Sequence, residues 1–265
     1  MDYLFDKWEK IHEKFKNKHL LIFLDFDGTL APIAETPAKA MLPQKTKVLL
    51  RQLSKNPKVK LAFISGRTAK DVKNKIGLKN AIYSGNHGLE IDGPRIKFKP
   101  VVSPRFRKII EKIKDNLAAE ASSFKGVLIE DKGISLSLHY RLAEKKDIPK
   151  IKTIFHEAVI APLVENKIKI KFGKRVLEVM PPVDWDKGKI VLWLLARQVF
   201  ASKDIPVLPI YIGDDVTDED AFKALNKRGL TILVGKPKES CAQFYLKNPN
   251  EAMVFLKRLS AILSS

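Results

Sequence analysis

Three near-continuous apolar runs, residues 20–24, 59–64 and 206–212, each end in polar chemistry, at Asp25, at Ser65 and at Asp214 just beyond Gly213. A run this short without alternation reads as a strand buried on both faces. Helical spacing of apolar residues appears over 6–17, 42–53 and 69–76, and residues 81–83 make a further short strand. Strands alternating with helices predict a parallel α/β sheet.

From about Pro94 the pattern changes. Residues 126–130 and 134–140 read as strands, the second alternating Ile134, Leu136 and Leu138, so that one face is buried and the other exposed. A helix over 104–121, with Phe106, Ile109, Ile110, Ile113 and Leu117 on one stripe, precedes them, and another over 148–159 follows. A hairpin is expected over 167–179, turning at Gly173. Helix, two strands, helix, two strands describes an α+β module with its sheet covered on one side. After Pro181 and Pro182 the α/β texture returns, with helices over 189–200 and 218–227 and strands over 206–212 and 230–234. The expected fold is therefore α/β, a Rossmann-like parallel-sheet core (1–93 and 182–265) interrupted by an inserted α+β cap (94–181). No internal repeat and no low-complexity segment interrupts this pattern.

Composition adds little to the fold but narrows the function. With 45% hydrophobic residues the chain can form a buried core, and its single cysteine, Cys241, excludes an internal disulfide and a cysteine zinc site. The formal net charge of +19 would suit nucleic acid, anionic membranes or phosphorylated metabolites. The lysines are scattered and not interleaved with aromatics, so solvated helix faces explain them and no nucleic-acid partner is expected. The first 18 residues lack the apolar core of a signal peptide, and 20–24 is too short to span a bilayer. A soluble, cytoplasmic protein without a membrane partner is expected.

Ligands of parallel sheets collect at the carboxyl ends of the strands. Three such ends here carry Asp25-Phe26-Asp27-Gly28-Thr29, Ser65-Gly66-Arg67, and Gly213-Asp214-Asp215 with Asp218. Brought together, these acids would repel one another unless a cation sat among them. A hard divalent ion such as Mg2+ suits an all-oxygen set, whereas zinc would want the histidine or cysteine these segments lack. Residues two apart in extended chain face the same side. Asp25 and Asp27 can therefore share one target, one as nucleophile and the other, if protonated, as acid and then base. Each segment alone has a bland reading, a turn for 27–29, a helix cap for 65–67 and a helix first turn for 218–220. Those readings do not explain why apolar strands repeatedly end in acids.

These residues resemble the four motifs of the haloacid dehalogenase superfamily, in order: Asp25 to Thr29, Ser65, Lys187 within Asp186-Lys187-Gly188, and Gly213 to Glu219. Within it the chain is most similar to trehalose-6-phosphate phosphatases, through Leu30-Ala31-Pro32-Ile33, Ile64-Ser65-Gly66-Arg67, Gly85-Asn86-His87-Gly88-Leu89-Glu90 and Leu177-Glu178-Val179. The resemblance implies that Asp25 is phosphorylated, that Asp27 is acid and base, and that Ser65 and Lys187 hold the phosphoryl group. It implies magnesium bound by Asp25, Asp214 and the Asp27 carbonyl, with Asp215 and Asp218 in support. The implied substrate contacts are Gly66, Arg67, Asn86, His87 and Glu90 in the core and His139, Arg141, Lys174, Arg175 and Glu178 in the cap. Glu178, between Leu177 and Val179, needs a partner that sugar hydroxyls could supply. The expected partner is a sugar phosphate, with a trehalose phosphate synthase as a possible protein partner to a monomer. One departure is Met180, where the family usually has arginine before proline. It opens the alternatives of sucrose phosphate, a mannosyl-glycerate phosphate or a phosphomannomutase-like reaction.

Overall fold

The structure, a computed structural model, describes residues 1–202, 205–237 and 239–264 and divides into two compact units. The first comprises Met1–Ala34, Ala38–Lys99 and Trp185–Ser265. It opens with β1 (Asp2–Tyr3), α1 (Trp8–His12), β2 (His19–Leu24), α2 (Gln44–Leu53), β3 (Val59–Ile64), α3 (Ala69–Ile76), β4 (Ile82–Gly85), β5 (Glu90–Gly93) and β6 (Ile96–Phe98). The second unit, Glu35–Pro37 and Pro100–Asp184, carries α4 (Pro104–Ala121), β7 (Leu128–Asp131), β8 (Leu136–His139), α5 (Ile148–Val164), β9 (Lys169–Gly173) and β10 (Val176–Met180). The first unit resumes with α6 (Lys187–Ala201), β11 (Val207–Gly213), α7 (Glu219–Leu225), β12 (Leu230–Val234), β13 (Phe244–Leu246) and α8 (Pro249–Ser264).

Among the described residues the first unit holds one sheet in the order β1-β13-β12-β11-β2-β3-β4-β5-β6, parallel from β1 to β4. The physical reason for its apolar runs is visible in β2. Leu20, Ile22 and Leu24 join a buried cluster with α2, α3 and α8, while Leu21 and Phe23 join another with α6 and α7. Both faces are covered, so both sets of alternating side chains are apolar. Each of these fully buried side chains contributes about 1.5–3 kcal/mol through the area removed from water. The carboxyl ends of β2, β3 and β11 lie side by side, because Ile212 pairs with Leu24 and Leu24 with Phe63.

In the second unit four antiparallel strands run in the order β7-β8-β10-β9. Leu136, Leu138, Leu177 and Val179 pack with Phe106, Ile110, Ile113, Ile151, Phe155 and Val159 of α4 and α5. Register aligns Glu130, Ser137, Glu178 and Lys171 in one row across all four strands. Successive strand residues face opposite sides, so this polar row lies on the face away from the two helices.

Several sequence expectations are corrected. The single helix over 6–17 is instead a 3-10 turn Leu4–Lys7, the short α1, and a second 3-10 turn Glu13–Phe15. None of the three has a side-chain cap, and the backbone follows the burial of Leu4, Ile11 and Phe15. Strand β8 is buried at Leu136, Ser137 and Leu138 alike, not half-exposed, since Ser137 hydrogen-bonds inside a polar cluster. The antiparallel β5 and β6, the edge strand β1, its neighbour β13, and α8 had no counterpart in the sequence pattern. Helix α5 continues through Pro162 to Val164. No described helix is long and apolar enough to cross a membrane.

Candidate active site

Asp25 follows the last residue of β2, with its N–H donating to the Ile212 carbonyl of β11 at 2.9 Å, and its side chain is buried. Lys187, the first residue of α6, is equally buried and donates from Nζ to Asp25 Oδ1 at 2.9 Å and to Asp218 Oδ1 at 2.7 Å. An ammonium in the first turn meets the positive end of a helix, so these two carboxylates supply the anion that its position requires. Asp186 caps the same helix, accepting from the Lys189 N–H at 2.8 Å.

Asp218 organises the loop after β11. Its Oδ2 accepts the N–H groups of Asp214 and Asp215, both at 2.9 Å, and its Oδ1 also accepts the Tyr211 hydroxyl at 2.7 Å. Two glycines make this closeness possible. A Cβ at Gly28, whose φ is +85°, would lie 2.1 Å from Asp214 Oδ2, and one at Gly213 would lie 2.3 Å from Asp218 Cγ. The carboxylates of Asp25, Asp214 and Asp218 thus gather with oxygens within 4.8 Å of one another, and all three are buried. Thr29 donates to Asp214 Oδ1 at 3.4 Å. The Asp215 carboxylate is turned to its own loop, accepting from the Val216 N–H at 2.8 Å.

Burial, together with the neighbouring Asp218 and Asp214, pushes the Asp25 carboxyl well above the usual range despite the pull of Lys187. Burial alone would also raise Asp218, but Lys187, the Asp215 N–H and Tyr211 outweigh it and hold that carboxyl below its ordinary value. For Lys187 burial opposes charge, yet Asp218 and Asp25 win and raise it well above the usual lysine value. With all three carboxyls ionised the cluster exceeds the one ammonium by two negative charges, the charge a divalent cation carries, and such a cation would offset the repulsion that raises Asp25. The oxygen-only donor set suits a hard one.

Asp27 turns elsewhere. Arg67 donates from Nε to Asp27 Oδ2 at 2.6 Å and from Nη2 to Oδ1 at 2.8 Å, while Nη1 reaches Asp71 Oδ2 at 2.7 Å. Burial would depress the guanidinium, but its bonds to Asp27 and then Asp71 outweigh that and raise it. Ser65, buried at the end of β3, accepts the Arg67 N–H on Oγ at 3.2 Å. Beside it the buried Asn86 and His87 take positive φ, 48° and 56°, and donate their N–H groups to the carbonyls of Arg67 and Ser65 at 2.7 and 3.0 Å. Gly66 faces the His87 imidazole, where a Cβ would lie 2.8 Å from Cε1. Glu90 accepts the Ala69 N–H at 2.9 Å, so this carboxylate anchors the first turn of α3.

The remaining expected site residues belong to the second unit. Glu178 Oε1 accepts from Lys132 Nζ at 2.6 Å and from the Ser137 hydroxyl at 2.7 Å, so the partner it needs is supplied by the protein. His139 Nε2 lies 2.9 Å from Glu130 Oε2, Arg141 donates to the Lys174 carbonyl at 2.5 Å, and Arg175 lies over the Tyr140 ring at 6.0 Å. Tyr211, Asp71, Lys132 and Ser137 were missed from sequence. Ser137 alone left a signal, a hydroxyl between Leu136 and Leu138.

A family model described as trehalose-phosphatase matches residues 23–250. A probable trehalose-phosphate phosphatase 4 of Oryza sativa subsp. japonica is 37% identical over 260 residues, spanning 96% of this chain and 69% of that protein. Trehalose-phosphate phosphatase B of Arabidopsis thaliana is 34% identical over 267 residues, spanning 95% of this chain and 69% of its own. Among solved structures, the C-terminal domain of a C. albicans trehalose-6-phosphate phosphatase superposes with a TM-score of 0.82 at 26% identity, covering 96% of each chain.

Proposed function

Because the chain belongs to the trehalose-phosphatase family, we propose that it hydrolyses trehalose 6-phosphate to trehalose and phosphate through a phosphorylated Asp25, with magnesium. The observation that carries this reading is the buried Asp25 carboxylate, held by Lys187 beside Asp214 and Asp218. The relatives named above act, by their names, on trehalose phosphate.

In the first step an Asp25 oxygen attacks phosphorus, the bond from phosphorus to the sugar oxygen breaks, and that oxygen takes a proton from Asp27. In the second, water attacks the phosphorus of the acyl phosphate and gives its proton to Asp27. Phosphate leaves and Asp25 is restored. Lys187 and Ser65 hold the phosphoryl oxygens, and phosphoryl transfer depends chiefly on such positioning and charge stabilisation. Asp25, Asp214 and the Asp27 carbonyl, with Asp215 in support, would hold magnesium, which when bound would supply positive charge beside the phosphoryl oxygens. Asp218 already accepts four hydrogen bonds, so its role is to order the loop that presents Asp214. Gly66, Arg67, Asn86 and His87 shape the phosphate end of the site, and Glu90 fixes the helix behind them. Selection of the sugar belongs to the second unit, through Glu178, His139, Arg141, Lys174 and Arg175.

The test is phosphate release from a panel of trehalose 6-phosphate, sucrose phosphate, mannosyl-3-phosphoglycerate and glucose 6-phosphate, with magnesium and with a chelator. Trehalose 6-phosphate should lead by at least about tenfold, the chelator should abolish turnover, and Asp25→Asn should lose all of it. An Asp25→Asn enzyme as fast as wild type would refute the mechanism, and equal turnover of glucose 6-phosphate would refute the substrate.

A further inference from the structure

We propose that Arg67 is a positioning residue that orients Asp27, fixing the acid and base group of the reaction in one place and handing it over when a phosphate arrives. The inference rests on the mechanism above and adds a control to it. Both carboxylate oxygens of Asp27 are taken by one guanidinium, in a fork of 2.6 and 2.8 Å. A carboxylate held in this way is fixed in orientation, and a proton carried to the leaving sugar on either oxygen weakens the arm that this oxygen accepts. The third nitrogen is anchored separately, at 2.7 Å from Asp71 in the first turn of α3, and the guanidinium lies 5.3 Å over the Phe26 ring.

Exposure separates this pair from an ordinary surface ion pair, whose worth is about 0–1 kcal/mol. The Arg67 side chain is only 10% exposed, whereas Asp27 is 38% and Asp71 41% exposed. The fixed member is therefore the arginine, and the member with room to move is Asp27. The Arg67 N–H to Ser65 Oγ contact and the Asn86 N–H to Arg67 carbonyl contact hold the arginine backbone in the loop assigned to the phosphate. Guanidinium binds phosphate and carboxylate oxygens in the same planar geometry. An incoming phosphoryl group competes for the arms that hold Asp27. Asp71 keeps the guanidinium in register while one arm lets go, and Asp27 becomes available as substrate binds.

The experiment compares wild type, Arg67→Lys, Asp27→Asn and the double variant on two substrates. Trehalose 6-phosphate has an alkoxide leaving group that needs a proton. An aryl phosphate has a phenolate that does not, and its first-turnover release reports phosphorylation of the enzyme alone. Lysine keeps the charge but cannot make the fork. General acid–base assistance contributes roughly a hundredfold to ten-thousandfold, so imperfect positioning should cost about tenfold to a hundredfold. Arg67→Lys should lower kcat on the sugar phosphate by that amount with KM changed less than about twofold. It should slow phenolate release at least about fivefold less, and it should add nothing to Asp27→Asn. Equal loss on both substrates, a loss confined to KM, or losses that multiply in the double variant would overturn the proposal. Should Arg67→Lys fail to fold, Asp71→Asn, which removes only the anchor, should give the same pattern at smaller size, and an unchanged kcat there would count equally against it. Asp25→Asn run in parallel separates the two ideas, because its retained activity would refute the parent mechanism whatever Arg67 does.

Discussion

At Gly28 the smallest possible substitution meets the most crowded part of the site. An alanine Cβ there would overlap Asp214 Oδ2 at 2.1 Å and would sit on a backbone at φ +85° that side chains avoid. Gly28→Ala should therefore displace the Asp214 carboxylate, lower kcat by more than about a hundredfold and destabilise by about 1–2 kcal/mol, the usual size of a positive-φ penalty. Steady-state kinetics with a denaturant titration would check both parts. A loss of stability without a loss of rate would mean that Asp214 is not needed where it stands. The same residues show how far the site was legible. Asp25, Asp214 and Lys187 could be read because each follows an apolar run or opens a helix, and the two runs are strands whose carboxyl ends lie side by side in a parallel sheet. Tyr211 and Asp71 could not, since a tyrosine within a buried strand and an acid in a helix first turn have ordinary roles there. Their partners, Asp218 and Arg67, were named without the bonds that join them.

Helix α6 shows an element serving the site through its first residue. Lys187 opposes the helix dipole, and Asp186 caps the helix by accepting from the Lys189 N–H. Removing the cap with Asp186→Ala should cost about 0.5–2 kcal/mol, and because the frayed residue is Lys187 itself, kcat should fall several-fold as well. Asparagine caps as well as aspartate, so Asp186→Asn should restore the melting temperature and most of the rate. Alanine matching wild type in both would show that Lys187 is held by its carboxylates alone. Elements with a near-continuous apolar run, β3 and β12, or with a clear helical period, α3, were readable to the residue. Strands β5 and β6 were not, being short and half-polar, joined by a turn in which Arg95 takes φ 60°. Strand β13 offers three residues, Phe244–Leu246, too few for any period to register, and their pairing with β12 fixes them as a strand.

For the whole molecule the informative fact is that the second unit has its own buried core. Phe106, Ile110, Ile113, Leu117, Leu136, Leu138, Ile151, Phe155, Val159, Leu177 and Val179 all lie in one cluster supplied by that unit. A nearly contiguous segment with its own core and its own hydrogen-bonded four-stranded sheet meets the physical definition of a domain. Residues 100–184 expressed alone should then fold, showing helix and strand in circular dichroism and a single cooperative melt. Stability should lie near the lower end of the domain range, about 5 kcal/mol, since a chain this short buries a smaller share of its surface. Little of it comes from the Lys132–Glu178 pair, because removing two charges from water offsets most of their attraction. The apolar cluster must carry the fold, so Leu138→Ala, at a fully buried position, should cost about 2–5 kcal/mol and erase the melt of the isolated segment. A segment that stays unfolded without substitution would show that the cluster needs the rest of the chain to form.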